Sequence, residues 1–183
     1  PINAARLVLN KSKHVLLTGE GAKNFAILNG LDTVPSSYFF TQGPYDRLQN
    51  AIKREKESSQ GFRQEQQTDT PKSGDEKFGT VGCVALDKNG TLAAGTSTGG
   101  MTNKKFDRFG DSPIIGAGTY ANDKTCGVSC TGHGEYFIRH AVAYDVHARM
   151  DYLNEDVRTA ADYIINNKLK NIDGAGGLIA LDK

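Results

Sequence analysis

The sequence predicts an antiparallel α+β layered sandwich. Short apolar runs of strand length cluster after residue 79, amphipathic helical patterns stand at both ends of the chain, and most strands are joined by turns short enough for hairpins. The 183 residues are 38% hydrophobic and 23% charged, enough for one sizeable core and too few for several independent domains. A formal net charge of +1 offers no basic footprint for nucleic acid or a membrane surface. No apolar run approaches the roughly 20 residues of a spanning helix. Cys83, Cys126 and Cys130 cannot all pair with one another, which favours a reducing compartment such as the cytoplasm. The chain starts at Pro1 without methionine and stops at Leu181-Asp182-Lys183, which reads as the first arm of a hairpin. The sandwich is therefore expected to be incomplete at both ends.

Residues 1–11 read as an amphipathic helix, because Ile2, Ala5, Val8 and Leu9 recur near helical spacing and proline is tolerated in a first turn. His14-Val15-Leu16-Leu17 reads as a strand. Gly19-Glu20-Gly21 then turns the chain into a second helix carrying Phe25, Ile27 and Leu28, with Gly30 as its C-cap. A third helix follows Pro44, with Tyr45, Leu48, Ala51 and Ile52 facing inward and Lys53, Arg54 and Lys56 in its last turn, where cations suit the dipole. Its order is expected to end near Ser58. From Ser58 to Phe78 only Phe62 and Phe78 are strongly apolar, so residues 58–78 are expected to be a mobile linker that cannot offset its own ordering entropy.

After Thr80 the texture changes. Residues 81–87, the turn Lys88-Asn89-Gly90 and residues 91–98 predict a hairpin whose first strand, apolar on both faces, needs cover on both sides. Residues 114–120 and 127–131 read as further strands around Asn122-Asp123-Lys124. A helix over residues 135–150 and a second one carrying Val157, Ala160, Ala161, Ile164 and Ile165, capped by Asn154, follow. Residues 176–181 begin another strand.

Thr80 stands between the polar stretch and the first strand of the hairpin. β-Branched residues are ordinary at strand starts. Cutting the chain at Gly79-Thr80, however, would give one residue both a hydroxyl nucleophile and an α-amine, whose unperturbed pKa of about 7.7 to 8.0 lets it act as a base near neutral pH. Thr96-Ser97-Thr98-Gly99-Gly100 ends the returning strand, so its hydroxyls can lie beside Thr80 across the ladder. The run lacks the spacing of a phosphate loop. Arg108-Phe109-Gly110-Asp111-Ser112-Pro113 offers either a surface ion pair or a clamp for the zwitterionic end of an amino acid, arginine to carboxylate and aspartate to ammonium. Thr131-Gly132-His133-Gly134-Glu135 lies where a strand meets a helix, a place for a simple cap or for amides that stabilise an oxyanion. Cys126, Cys130 and His133 could be three metal ligands, but their spacing matches no common zinc pattern, and no metal residue is assigned.

Together, Gly79-Thr80-Val81-Gly82-Cys83-Val84-Ala85-Leu86-Asp87, Thr96-Ser97-Thr98-Gly99-Gly100, Arg108 with Gly110-Asp111-Ser112-Pro113, and Thr131-Gly132-His133-Gly134-Glu135 closely resemble the plant-type asparaginase and isoaspartyl peptidase family of N-terminal nucleophile hydrolases. Ala4-Ala5-Arg6, His14-Val15-Leu16-Leu17 and Gly19-Glu20-Gly21-Ala22 extend the likeness across nearly the whole chain. The resemblance implies a four-layer αββα sandwich and self-cleavage at Gly79-Thr80. Residues 1–79 would then be the C-terminal part of an α subunit and residues 80–183 the N-terminal part of a β subunit, one fold made from both, assembled as a dimer of αβ heterodimers. It implies Thr80 as nucleophile toward asparagine and isoaspartyl dipeptides, Thr98 beside it, Arg108 on the substrate α-carboxylate, Asp111 on the α-amine, Thr131 and Gly132 as oxyanion hole, and Gly134 as a backbone contact. A structural sodium ion is also expected from the family, though its loop is not found in residues 1–183, and no other cofactor is expected. Phe78 stands where relatives often have histidine or methionine. An enzyme for glycosylated asparagine is the nearest alternative, disfavoured because such relatives cut at Asp-Thr; an uncleaved, non-catalytic homologue is the other.

Overall fold

The computed structural model describes residues 1–61 and 79–183, without the side chains of residues 59–61. They fall in two units, residues 1–31 with 79–100 and 109–183, and residues 32–61 with 101–108. Most of the expected linker, with Phe62 and Phe78, lies outside the described residues.

The first unit opens with helices α1 (Ile2–Lys11) and α2 (Gly19–Leu28). On α1 the half-buried side is Ala4, Leu7 and Val8, while Ala5 and Leu9 are exposed. Gly30, at φ +81°, lies in the left-handed region that ends a helix, and Leu31 N–H donates to Ala26 O at 3.1 Å, as a C-terminal glycine predicts. The strand expected at His14-Val15-Leu16-Leu17 does not form. It pairs with no strand among the described residues, and Val15 and Leu16 are exposed. A strand needs a partner edge for its polar groups; here Ser12 supplies local bonds instead, its Oγ accepting from His14 N–H at 3.0 Å and donating to Val8 O at 2.9 Å.

Strands β1 (Val81–Leu86) and β2 (Leu92–Ser97) form the expected antiparallel hairpin, with Val81 opposite Ser97 and Leu86 opposite Leu92. Asp87 Oδ1 accepts from both Asn89 N–H and Thr91 N–H at 2.8 Å, and Gly90 at φ +83° completes the turn. The expectation that β1 is covered on both faces fails among the described residues. Val84 is half-buried, but Val81, Cys83 and Ala85 on the opposite face are exposed.

A second sheet runs in the order β3 (Thr119–Ala121), β4 (Gly127–Gly132), β5 (Gly176–Leu181), antiparallel throughout, with Thr119 opposite Ser129 and Gly127 opposite Leu181. The hairpin packs on one face of this sheet. The other face carries Val128 and Cys130, which with Cys126 enter a core completed by Phe137, Val142, Ala143, Val146, Ala160, Ile164 and Leu169. That core lies under helices α4 (Gly134–Arg139), α5 (Val142–Leu153) and α6 (Val157–Tyr163). α1 touches the hairpin through Ile2, whose Cδ1 lies 3.2 Å from where a Cβ on Gly95 would sit. The observed class is α+β.

Residues 114–118 make turns, not a strand: Asp111 O accepts from Ile114 N–H at 2.9 Å and Gly118 N–H at 3.2 Å, and Gly116 takes φ +91°. The helix expected over residues 135–150 breaks at Ala141, at φ +47°. The break lets Ala143 N–H and Tyr144 N–H, which a continuous helix would use internally, donate to Ala117 O at 3.1 Å and Gly116 O at 2.8 Å. Asn154 does not cap α6. It closes α5 in the left-handed conformation, while Asp156 caps α6 by accepting from Thr159 N–H at 2.8 Å. α6 continues through a wide-turn segment, Ile164–Leu169, whose end residues are buried in the core.

In the second unit, a short 3-10 turn at Ser36–Phe39 precedes α3 (Gln42–Gly61). α3 begins before Pro44 and runs past Ser58, longer than expected. Leu48, Ala51 and Ile52 are half-buried and Tyr45 is exposed. Glu55 accepts from Asn103 Nδ2 at 3.1 Å and pairs with Lys105, and these two donors hold its carboxyl below the ordinary range.

Candidate active site

Thr80 is half-buried and stands immediately before β1, with Gly79 exposed in front of it. The β1–β2 register, carried one step beyond the Val81–Ser97 pair, sets Thr98 opposite Thr80. Thr98 is exposed, and its Oγ1 accepts from Gly100 N–H at 3.1 Å, which fixes the turn that follows. Side chains two apart on a strand share a face, so Thr80, Gly82 and Val84 point the same way.

That face stacks on β4 in a regular progression. A Cβ on Gly127 would lie 3.6 Å from Val84 Cβ, and a Cβ on Gly82 would lie 2.0 Å from Ser129 Oγ. One further step along both strands brings Thr80 level with Thr131. Thr131 Oγ1 is buried and has no hydrogen-bond partner among the described residues. A buried, unpaired hydroxyl is costly.

Gly132 ends β4 at φ +152°, with its α-carbon closed in: a Cβ there would meet Ala175 O at 2.5 Å and Phe137 Cε2 at 2.7 Å. His133 N–H donates to Ala175 O at 3.0 Å, and Gly134, buried, starts α4. Asp111 is 5% exposed and packs on Gly118, where a Cβ would lie 2.7 Å from Asp111 Oδ2. Gly118 N–H donates to Asp111 O, and Gly118 O accepts from Cys130 N–H at 2.9 Å, so the aspartate loop is tied to β4 beside Thr131. The structure thus brings Thr80, Thr98, Asp111, Thr131 and Gly132 to one end of the stacked sheets. Arg108 is half-buried and belongs to the second unit.

Cys126 and Cys130 point into the helical core with Val128. Burial pushes both thiols up, and the Asp111 charge adds to the effect at Cys130, so both hold their protons at neutral pH. Among the described residues no group of three or more His, Cys, Asp or Glu side chains could hold a metal ion. An open cleft between α5 and α6, lined by Arg149, Glu155, Arg158 and Asp162, lies away from Thr80; Arg149 is engaged there by Glu155 at 2.7 and 2.5 Å.

Sequence reasoning missed Ser129, Gly118 and Gly82. Thr96, noted only as part of a hydroxyl run, binds Ser129 Oγ at 2.6 Å and Gly118 O at 3.0 Å. Period-two spacing from Thr131 back to Ser129 and from Thr80 forward to Gly82 was the available signal.

Comparison with known proteins places the chain among relatives. The family described as Asparaginase matches residues 1–183. An isoaspartyl peptidase of Escherichia coli is 47% identical over 182 residues, covering 100% of this chain and 55% of that protein. A probable isoaspartyl peptidase/L-asparaginase 2 of Arabidopsis thaliana is 42% identical over 200 residues, covering 99% of this chain and 58% of its own length. The human isoaspartyl peptidase/L-asparaginase is 39% identical over 183 residues, covering 100% of this chain and 55% of its own length. The chain spans about half the length of the curated relatives it matches. With Thr80, Thr98, Thr131 and Gly132 gathered at one end of its sheets, and a match over every residue, this chain belongs to the asparaginase family.

Proposed function

We propose that the parent protein is a self-cleaving amidohydrolase that releases L-aspartate from isoaspartyl dipeptides and L-asparagine through a threonine acyl-enzyme. The observation that carries this reading is the alignment of Thr80 with Thr98 across the hairpin and with Thr131 across the sheets. Before the cut the Thr80 nitrogen is an amide and no base; after it, the amine takes the hydroxyl proton as Oγ adds to the substrate carbonyl. Collapse of the adduct expels ammonia or the peptide amine, which leaves with that proton. Water then hydrolyses the ester, freeing aspartate and restoring Thr80. Thr131 Oγ1, buried with a proton to give, and the Gly132 turn would stabilise the oxyanion, a contribution on the order of 3 to 4 kcal/mol for one well-placed donor. Thr98 would position the nucleophile. Asp111 would hold the substrate ammonium, Arg108 its carboxylate, and Gly134 would add a backbone contact.

The same proposal includes a four-layer αββα sandwich, supported by α1 against the hairpin, the hairpin against the three-stranded sheet, and α5 and α6 beyond it. Residues 1–79 and 80–183 would be parts of two subunits, and two such pairs would form a dimer. Cys83, Cys126 and Cys130 are all free thiols, in keeping with a cytoplasmic setting. No helix among the described residues is long and apolar enough to cross a membrane. No residue of this chain is assigned to the sodium ion that the family implies.

The test is the intact mass of the full-length parent. Two pieces are expected, the second starting at Thr80, together with aspartate release from a β-aspartyl dipeptide. Thr80→Ala should leave one uncut, inactive chain. A wild type that stays whole and releases no aspartate would sink the reading.

A further inference from the structure

The hydroxyl pair of Thr96 and Ser129 is absorbed by none of the roles above. Ser129 is 4% exposed, and the pair joins residues 33 apart in sequence, one on each sheet, at 2.6 Å. Gly118 O can only accept, so the Thr96 hydroxyl donates to it at 3.0 Å and the Ser129 hydroxyl donates to Thr96 Oγ1, which uses both protons. Thr96 lies directly across β2–β1 from Gly82, two residues from both Thr98 and, through the register, Thr80. Ser129 lies two residues before Thr131 on β4. The bond therefore sits one strand repeat, roughly 7 Å, below the level of nucleophile and oxyanion donor. Gly82 makes the approach possible, since any Cβ there would overlap Ser129 Oγ. Through Gly118 the same bond reaches the Asp111 loop, because Gly118 N–H donates to Asp111 O.

We infer that Thr96 and Ser129 are positioning residues, a cross-sheet hydroxyl clamp that sets the spacing between Thr80 on the hairpin and Thr131 on the facing sheet. This rests on the reading of Thr80 as nucleophile and adds a specific cause for its alignment. Around this bond the facing residues Thr80, Gly82, Ser129 and Thr131 offer little apolar grip against sliding, and the apolar contact of Val84 with Gly127 lies one strand repeat away. A directional bond fixes the distance. Both hydroxyl protons are used within this chain of bonds, so neither is left to offer a substrate.

The experiment uses the full-length parent in four forms: wild type, Thr96→Val, Thr96→Ser and Ser129→Ala. Thr96→Val keeps shape and loses the bond. It should slow self-cleavage and lower kcat of the cut enzyme about 10- to 100-fold, the range expected for misplacement by an ångström or less. KM should stay within about twofold, because the lost interaction is felt in the transition state and not in ground-state binding. Ser129→Ala should act in the same direction, and Thr96→Ser should recover most of the rate. Thr96→Val with kcat within about twofold of wild type would overturn the clamp. So would Thr96→Ser as impaired as Thr96→Val, which would mean that packing by the methyl group matters and the bond does not. Should Thr96→Val fail to fold, Ser129→Ala decides alone by the same criteria. An uncut, inert wild type would remove the nucleophile reading and the clamp together, whereas a cut, active wild type beside an unaffected Thr96→Val removes the clamp only.

Discussion

At Gly132 three neighbours converge on the space that any side chain would need. Ala175 O, Gly176 Cα and Phe137 Cε2 lie 2.5 to 2.7 Å from where its Cβ would stand, and φ of +152° is strained for any L-residue with a side chain. Two of these neighbours are backbone, and the third is a ring that is itself fully buried, so none can give way cheaply. Gly132→Ala is expected to destabilise the fold by about 1 to 3 kcal/mol, the usual cost of overpacking, and to abolish turnover by moving the adjacent Thr131 hydroxyl. Urea unfolding followed by circular dichroism reads the first effect, aspartate release the second. The pairing of Thr80 with Thr98 was legible in the sequence because local rules place it: the two are related by a hairpin whose Asn-Gly turn fixes the register. The partnership of Thr96 with Ser129 was not legible, because it depends on how two sheets stack and no local pattern encodes that.

Among the elements, the hairpin followed from its sequence and the split helix did not. The helix break at Ala141 and the turns at residues 114–118 are one event: carbonyls of the turn take the amides that the break releases. An apolar stripe over residues 135–150 reports only that both halves face the core, which Phe137 and Val146 do. The start of α6 is ambiguous in the sequence for a related reason. Asn154 and Asp156 are both good capping residues, and only the side-chain bond to Thr159 separates them. That bond, with the second one to Thr159 Oγ1 at 2.9 Å, holds the Asp156 carboxyl below its ordinary value of 3.8. A depressed folded-state pKa means that the charged cap favours folding above the unfolded carboxylate range, and that this advantage is lost as pH falls through the folded value. Asp156→Asn, which keeps an acceptor and loses the charge, should therefore melt below wild type at pH 7 and converge with it in acid below pH 3.8. Asp156→Ala should melt lower than both at pH 7. Thermal scans across pH check the order, and an Asp156→Asn gap that widens in acid would refute it.

For the whole molecule, the bond before Thr80 is a poor place to divide the fold, since the first unit is built from both sides of it. α1 and α2 precede the bond, and the hairpin, the three-stranded sheet and the core helices follow it. Ala4, Leu7 and Val8 turn the less exposed side of α1 inward, and Ile2 reaches Gly95 on β2. Cutting one peptide bond removes none of these contacts; it frees a new amine and gives the two pieces the chance to separate. Burial of apolar surface at about 25 cal/mol per Å² continues to hold them, opposed now by the entropy of two bodies. The cut parent should therefore elute from a sizing column as one species under native conditions and resolve into two masses only in denaturant. Leu7→Asp, which sets a charge on the half-buried side of α1, should loosen the pair and release the N-terminal piece at lower urea than wild type. Native elution of two separate pieces from the wild type would show that residues on the two sides of Gly79-Thr80 do not share one core.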